Sequence, residues 1–186
     1  MALANKTKYA VLGALSLTPM SGYDIKKFSD GSIAHFWNEN YARIYPVLKE
    51  MEREDLVTKE TTQSENRPPK NVYSITVKGR NELNQWLLQP AEERRLREEL
   101  LLKLFFSENV PVENLIGKIE AEKQKNKQYL EEYGRIEHFL KTDETTRNAR
   151  GLPLWLATLN FGKFFRAAVI KWCDETVESL KTMDAK

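Results

Sequence analysis

The amino-acid sequence predicts a mainly α-helical protein that contains one small β-hairpin, and three observations support this fold class. Apolar residues recur three or four positions apart along most of the chain, as in helices that bury one face. Two short runs, at residues 56–61 and 71–76, are instead rich in β-favouring residues. After residue 90 the helical spacing continues through long segments, so the second half should be entirely helical.

The first two helices are short. The first is predicted from about Lys6 to Leu17, and the turn-forming sequence TPMSG ends it. Ser21 then begins a second helix, because its hydroxyl can cap the backbone amides. Asp24 follows three residues later, where a carboxylate favours the N-terminal amides. The sequence AHFWNEN interrupts the helical pattern before the next helix.

The third helix is predicted from about Asn40 to Glu54 and carries an unusual proline. At about 100° per residue, four apolar side chains share one face that should pack into the core: Ile44, Val47, Leu48 and Met51. Pro46 falls on the opposite side. Inside a helix a proline costs about 3 kcal/mol relative to alanine, since it lacks an amide proton and crowds the preceding turn. Here that cost would fall on the outward carbonyl of Ala42 and spare the core.

The two β-favouring runs, LVTKET and NVYSIT, should pair as a hairpin with the polar segment TQSENRPPK as its connection. Pro68 and Pro69 stiffen this connection, so Arg67 and Lys70 would be presented at a reduced entropic cost.

A fourth helix is predicted from about Lys78 to Leu88, with Thr76 as its cap. One of its faces is apolar and consists of Leu83, Trp86 and Leu87. Pro90 disfavours a helical conformation of the residue before it. We therefore expect one domain at residues 1–90 and a second at residues 91–186.

Three further helices are predicted, at about residues 95–106, 112–140 and 152–183. The last has a coiled-coil-like seam of Trp155, Leu159, Gly162, Phe165, Val169, Trp172, Thr176 and Leu180. In the preceding helix the apolar face nearly vanishes along EAEKQKNK, which predicts a solvated face. Because helices of this length bury themselves poorly alone, we expect a partner chain to cover them.

Composition argues against several classes of protein. Cys173 is the single cysteine, which excludes an intrachain disulfide and predicts a buried thiol, and His35 and His138 lie far apart. We therefore expect no metal and no cofactor. No nucleophile or pair of titratable groups stands in a catalytic arrangement, so we expect no enzyme activity. No run approaches about 18 apolar residues and the start lacks a convincing cleavage site, which predicts a cytoplasmic protein without membrane contact.

Three helices followed by a hairpin are the element order of a winged helix-turn-helix, whose third helix enters the DNA major groove. Small domains of other function share that order, but cations at the hairpin tip favour contact with DNA phosphates. The formal net charge of only +2 favours an alternative, a winged-helix module that binds proteins without direct DNA contact. A salt-dependent shift of upstream DNA that is lost in Arg67→Ala plus Lys70→Ala would exclude this alternative.

Three stretches resemble successive signatures of the PadR family of bacterial transcriptional regulators: YAVLGALSLTPMSGYDI, ARIYPVLKEMEREDLV and RPPKNVYSITVKGRNEL. The most specific parts are Tyr45-Pro46-x-Leu48, Arg67-Pro68-x-Lys70 and Tyr73-x-Ile75-Thr76-x-x-Gly79. The resemblance covers about residues 7–90. The sequence FGKFFRAAVIKWCDETVESL is similar to the longer helical C-terminal domain of one branch of the family.

The resemblance implies an N-terminal winged helix-turn-helix, an all-helical C-terminal dimerisation domain, and a homodimeric repressor of double-stranded DNA with a pseudo-palindromic operator. It implies that six residues contact DNA: Tyr23, Arg43, Tyr45, Lys49, Arg67 and Lys70. Pro46 would then offer an apolar contact to a sugar or a thymine methyl. Asp55 stands where the family commonly has glycine. Because Asp tolerates the left-handed conformation better than most residues, we expect a strained cap and an unchanged fold.

Some relatives release DNA when a small molecule, often an aromatic acid, enters a pocket associated with the helical domain. Five aromatic residues are candidates for such an effector site: Phe36, Trp37, Trp155, Phe161 and Phe165. Aromatic residues at helical spacing more often belong to a core or an interface, so packing is the alternative role. Phe161, Phe164 and Phe165 cannot all face one seam, which predicts a second apolar surface.

Overall fold

The computed structural model describes residues 6–34, 36–37, 43–64, 67–93 and 97–184, and at residues 63–64, 67–68 and 183–184 it describes only the backbone. The elements are α1 (Lys6–Leu17), α2 (Gly22–Gly31), α3 (Ile44–Arg53), β1 (Val57–Ser64), β2 (Arg67–Ile75), α4 (Val77–Leu87), α5 (Glu99–Phe105), α6 (Val112–Thr142) and α7 (Leu152–Asp184). The mainly helical class with one hairpin is confirmed. The chain divides into two compact units, Met1–Glu93 and Arg94–Lys186.

The first unit has one apolar core, to which α1 to α4 and the hairpin all contribute. Its buried members are Val11, Leu12, Ala14, Leu15, Met20, Ile25, Ile44, Val47, Leu48, Met51, Leu56, Val57, Tyr73 and Leu83. The predicted core face of α3 is thus confirmed. Leu87 lies one turn after Leu83 in α4, as predicted for the apolar face, but it is 62% exposed and stays outside the core. Trp86 stacks on Tyr9 with ring centroids 4.5 Å apart, and the next residue turns about 100° away from that contact.

The start of α3 changes the interpretation of Pro46. The helix begins at Ile44, and residues 40–42, the first three of the predicted helix, lie outside the described residues. Pro46 is therefore the third helical residue, in the first turn, where backbone amides have no intrahelical partner. The prediction of an interior proline with its full cost is wrong, because a first-turn proline gives up no intrahelical hydrogen bond.

The end of α3 is a Schellman cap centred on Asp55, whose φ is 57°. The Leu56 amide donates to the Met51 carbonyl at 2.9 Å, and the Asp55 amide donates to that of Glu52 at 3.1 Å. Leu56 and Met51 are both buried, which supplies the apolar contact typical of the motif. The predicted strained cap is confirmed.

The hairpin is longer than the sequence predicts. β1 and β2 pair antiparallel from Val57 opposite Ile75 to Thr62 opposite Lys70, with an irregularity between Thr62 and Ser64. The strands therefore extend into the segment that was predicted as a connection. Prolines at positions 68 and 69 fit within β2 because both strands of a two-stranded sheet are edge strands, where an absent amide donor is tolerated.

In the second unit α6 and α7 pack antiparallel, as their cross-contacts run in opposite order along the two helices. Buried residues at one end form a cluster with α5 and comprise Leu115, Ile119, Cys173, Val177 and Leu180. Along α7 the predicted seam thus faces α6 of the same chain, although several of its members stay half-buried. Cys173 is fully buried as predicted, and burial raises the pKa of its thiol.

The polar segment of α6 is not simply solvated. Asn126 is fully buried, and its amide nitrogen donates to the carbonyl and carboxylate oxygens of Glu122 at 2.8 and 2.7 Å. Arg166 of α7 donates to the Asn126 side-chain oxygen at 3.1 Å, and its guanidinium lies 4.3 Å from the Tyr129 ring centroid. The predicted solvated face is wrong at this position because a polar contact from α7 covers it.

A second stripe on α7 remains exposed within this chain. Its members recur three and four apart and are Leu154, Ala157, Phe161, Phe164 and Ala168. Leu154, Phe161 and Phe164 are 71%, 60% and 70% exposed. The second apolar surface that the three phenylalanines predict is therefore present. Despite the length of α6 and α7, no helix among the described residues is apolar over a long enough stretch to span a bilayer.

Candidate nucleic-acid interface

The N-terminus of α2 is closed by a capping box. The Asp24 amide donates to the Ser21 hydroxyl at 3.2 Å, and the Ser21 amide donates to the Asp24 carboxylate at 3.1 Å. The Ser21 hydroxyl also donates to that carboxylate oxygen, at 2.8 Å. The predicted cap is confirmed, and it fixes the orientation of the Asp24 side chain.

Tyr45 of α3 lies against the first turn of α2. A Cβ atom added to Gly22 would be 2.7 Å from Cε1 of the Tyr45 ring, so only glycine permits this approach. The ring nevertheless stays 59% exposed. Gly22 therefore seats Tyr45 at the junction of α2 and α3 and leaves much of its ring accessible to a partner.

Lys70 joins the hairpin to the same junction. Its amino group lies 2.7 Å from the Asp24 carboxylate, and the two side chains are 50% and 38% exposed. The hydrogen bond from Lys70, together with those from Ser21, lowers the pKa of Asp24 to about 2. A wing lysine, the cap of α2 and the ring of Tyr45 thus meet on one surface.

The outer face of α3 carries both positively and negatively charged side chains. Arg43, Tyr45, Pro46 and Lys49 are exposed, as their assignment to DNA contact requires. Arg53 was not among the predicted contacts, yet its side chain is 78% exposed and its guanidinium lies 3.8 Å from Glu50. Its position one turn after Lys49 on the helix could have indicated it from the sequence.

The remaining predicted contacts are placed less completely. Tyr23 follows Gly22 in the first turn of α2 and is 67% exposed. Arg67 is the first residue of β2, and its side chain lies outside the described part of the structure.

The base of the hairpin is attached to the turn between α1 and α2. The Met20 amide donates to the Tyr73 carbonyl at 3.1 Å, and the Tyr73 amide donates back to Met20 at 2.9 Å. Both side chains are buried in the core. This pairing gives the wing a defined position relative to the start of α2.

The effector candidates fall into both units. In the first unit, Phe36 is 48% exposed, and Trp37 lines a cavity of about 10 Å³ with Ile33 and Ile44. That volume holds about one water molecule. In the second unit, Trp155 is half-buried against Gly151, Phe161 belongs to the exposed stripe, and half-buried Phe165 lies 5.5 Å from the Arg166 guanidinium. Among the described residues no group of three or more metal-ligating side chains comes together.

Two family models match the chain. Residues 11–85 match the transcriptional regulator PadR-like family, and residues 96–181 match a family described as the virulence activator alpha C-terminal domain. The negative transcriptional regulator PadR of Bacillus subtilis is 37% identical over 101 residues, which are 53% of this chain and 55% of that protein. A probable transcriptional regulator of Mycobacterium tuberculosis is 28% identical over 93% of this chain and 96% of its own length.

Solved structures share the fold over nearly the whole chain. Bacillus subtilis PadR in complex with operator DNA superposes with a TM-score of 0.83 at 23% identity, covering 95% of this chain and 99% of that one. The same protein in complex with p-coumaric acid has a TM-score of 0.76 at 23% identity, covering 94% and 98%. The Vibrio cholerae virulence activator AphA has a TM-score of 0.73 at 28% identity, covering 95% and 98%.

Proposed function

We propose that the chain is a transcriptional regulator of the PadR-like family, whose model residues 11–85 match, and that its first unit binds operator DNA through α3 and the hairpin. The observation that supports this proposal is the junction where Tyr45 of α3 rests against Gly22 of α2 and Lys70 of β2 pairs with Asp24. Tyr23 of α2 and Lys49 of α3 are exposed on the same two helices. Cations and tyrosine hydroxyls are the groups that contact phosphates, while α3 offers its outer face to base edges.

In the proposed complex, α3 enters the major groove with its N-terminal turns. Arg43, Tyr45 and Lys49 then face the groove or its rim, and Pro46 offers an apolar contact to a sugar or a thymine methyl. Arg67 and Lys70 would contact the backbone beside it. This is a binding function and not a catalytic one, and we place it in the cytoplasm.

We propose that two copies bind a pseudo-palindromic operator as a homodimer. The exposed α7 stripe supports this proposal, because a contiguous row of large exposed apolar side chains is typical of a surface that another molecule covers. A second copy, presenting the same row, is the occupant that matches a two-fold operator with half-sites about 34 Å apart.

We further propose that the protein is a repressor that releases DNA on binding a small aromatic acid. The name of the Bacillus subtilis relative as a negative regulator and its complex with p-coumaric acid support this proposal. Phe36, Trp37, Trp155, Phe161 and Phe165 remain the candidate contacts. Since the cavity beside Trp37 is water-sized, an effector there would have to open it.

The DNA-binding proposal is tested by a gel shift with the duplex upstream of the protein's own gene and a random duplex of equal length. Tyr45→Ala and Lys49→Ala should each weaken binding to the upstream duplex by about 1–3 kcal/mol. Leu88→Ala, an 85% exposed site on α4's C-terminal side, is the control and should bind as the parent does. The proposal would be contradicted if the parent and all variants bound the upstream and random duplexes equally, or if the parent bound neither duplex.

The homodimer is tested by sedimentation of a Phe161→Glu plus Phe164→Glu variant, which should become monomeric because charges are placed on the apolar row. Leu17→Glu, which changes a comparably exposed residue of α1, should leave the association state unchanged. A doubly substituted protein that remains dimeric would place the interface elsewhere.

The effector proposal is tested by adding p-coumaric acid to the protein–DNA complex and following both DNA release and tryptophan fluorescence. Release that disappears in Trp37→Phe, or in Trp155→Phe, would assign the site to the corresponding unit. If p-coumaric acid neither releases DNA nor changes the fluorescence, this effector class is wrong for the protein.

A further inference from the structure

We propose that Asp24 occupies, with its own carboxylate, the place of a DNA phosphate at the start of α2, and thereby restrains the wing residue Lys70. The ion pair between them has to open before Lys70 can contact DNA. Asp24 would then be a positioning residue that lowers affinity for DNA of every sequence. This inference rests on the proposed DNA-binding function.

The donors around Asp24 support this role. One carboxylate oxygen, Oδ2, accepts from the Ser21 amide at 3.1 Å, from the Ser21 hydroxyl at 2.8 Å and from the Lys70 amino group at 2.7 Å. A backbone amide at a helix N-terminus, a hydroxyl and an ammonium group are also the donors that bind a phosphate oxygen. Of these donors only the Lys70 amino group is well exposed, since Ser21 is buried, so Lys70 is the group that the carboxylate withholds from DNA.

The surroundings of the pair make the competition feasible. Both side chains are well exposed. Two proposed DNA contacts are near in the chain or in space, since Tyr23 precedes Asp24 in α2 and Tyr45 rests against Gly22. Because Lys70 belongs to the hairpin and Asp24 to α2, opening the pair frees the amino group without breaking either element. An exposed ion pair is weak, so DNA can displace it.

A sequence-independent effect follows. A carboxylate that must be displaced from a phosphate-binding lysine weakens operator and random DNA by the same factor, because phosphate contacts carry no sequence information. The Asp24 carboxylate also reduces the contribution of Lys70 to DNA affinity, since the Lys70 amino group leaves a carboxylate when it binds a phosphate. Lys70→Ala alone should therefore cost less affinity than a free wing lysine would.

The experiment measures binding of the upstream and random duplexes by fluorescence anisotropy between about 50 and 200 mM salt. Asp24→Asn and Asp24→Gln remove the charge, and Gln at this position keeps the capping box if Asn weakens it. Each variant should bind the upstream and the random duplex about two- to fivefold more tightly, because this factor corresponds to the strength of an exposed ion pair. The slope of log affinity against log salt should steepen by at most about 0.9, the value for one phosphate contact, because Lys70 no longer leaves a carboxylate when it binds DNA.

Asp30→Asn is the matched control, because it removes one carboxylate from the other end of α2, where Asp30 pairs with Lys26 at 3.3 Å. Its affinity should stay near that of the parent. Adding Lys70→Ala to Asp24→Gln should abolish the gain and the steeper slope.

Three results would overturn the inference: weaker binding by the Asp24 variants, a gain equal to that of Asp30→Asn, or a gain that survives Lys70→Ala. If the parent binds no DNA and the Asp24 variants bind none either, the proposed function fails along with the inference. If the parent binds DNA and only the Asp24 effect is absent, the proposed function stands alone.

Discussion

The two units each place a tyrosine ring against a helical glycine, with opposite results for the ring. In the first unit Tyr45 lies on Gly22 and stays 59% exposed, whereas in the second Tyr133 lies on Gly162 and is 1% exposed. The approaches are equally close, since an added Cβ would lie 2.7 Å from the Tyr45 ring and 2.9 Å from that of Tyr133. The same local packing thus presents one ring to solvent and holds the other in a core.

The difference shows that the surroundings decide what a close contact does. Tyr133 lies between two long antiparallel helices, so its ring has little room to move. Tyr45 lies at the edge of a short helix and can turn outward. Substitutions at these sites should therefore affect stability in the second unit and DNA binding in the first.

The largest expected effect is that of Tyr133→Ala, which should lower the free energy of unfolding by about 3–5 kcal/mol because it empties a buried aromatic site. Tyr45→Ala should lower it by less than about 1 kcal/mol, since its ring is mostly in solvent. Urea denaturation followed by circular dichroism measures both. The reverse order of these two losses would refute the comparison.

Gly162→Ala should come next, with a loss of about 1–3 kcal/mol, because the new methyl group overpacks against an immobile ring. The control is Gly134→Ala in α6, where nothing lies within 4 Å of the added Cβ. There the better helix propensity should raise stability by up to about 1 kcal/mol. Equal changes in denaturant midpoint for the two variants would argue against a rigid Tyr133 site.

In the first unit, Gly22→Ala should displace the Tyr45 ring and weaken binding to the upstream duplex by about 1 kcal/mol, or fivefold. Gly31→Ala, at the other end of α2, meets nothing within 4 Å and should bind DNA as the parent does. Anisotropy titrations of the two proteins are the measurement. An unchanged affinity of the Gly22 variant would mean that the position of the Tyr45 ring does not affect DNA binding.

A smaller effect is expected at the cap of α3. Asp55→Gly should stabilise the fold by up to about 1 kcal/mol, because a residue with a Cβ is strained at the left-handed φ of 57°. Thermal unfolding measures the gain, and DNA affinity should not change. A lower melting temperature would show that the Asp55 side chain contributes more than its strain costs.

The smallest expected effect is a dependence on acid pH. The pKa of Asp24 is held at about 2, chiefly by Lys70, and lies below that of the unfolded chain. A lowered pKa stabilises the fold above the unfolded value and loses that contribution as pH falls towards about 2. Because the side chain is 38% exposed, the contribution should stay below about 1 kcal/mol. Asp24→Asn should remove this part of the acid sensitivity in urea titrations at successive pH values, and an identical profile would contradict it.

Features that depend on neighbours within a helical turn were predicted well. The cap formed by Ser21 and Asp24 and the core face of α3 follow from side chains a few residues apart, and the left-handed Asp55 follows from its place in the family pattern. The exact start of α3 was missed, and with it the first-turn position of Pro46. A proline is tolerated in the first turn of a helix but is destabilising in its interior. The sequence alone does not distinguish the two cases unless the first residue of the helix is known.

Contacts between elements were not predictable from periodicity. Nothing in the local sequence indicates that Lys70 reaches Asp24 or that Tyr45 rests on Gly22. Asn126 and Arg166, 40 positions apart, lie in segments that look solvated or merely amphipathic. Each contact is decided by a distance between two elements, which no spacing within one element specifies.

The sequence by itself determined which segments are helical and which form the hairpin, because these depend on local periodicity and motif. Only the tertiary structure decided which of the two apolar rows of α7 packs against α6 and which stays exposed. Both rows satisfy a helical repeat of three and four, so the sequence allows either to be buried. Packing against α6 separates them, since one helix can cover only one side of another.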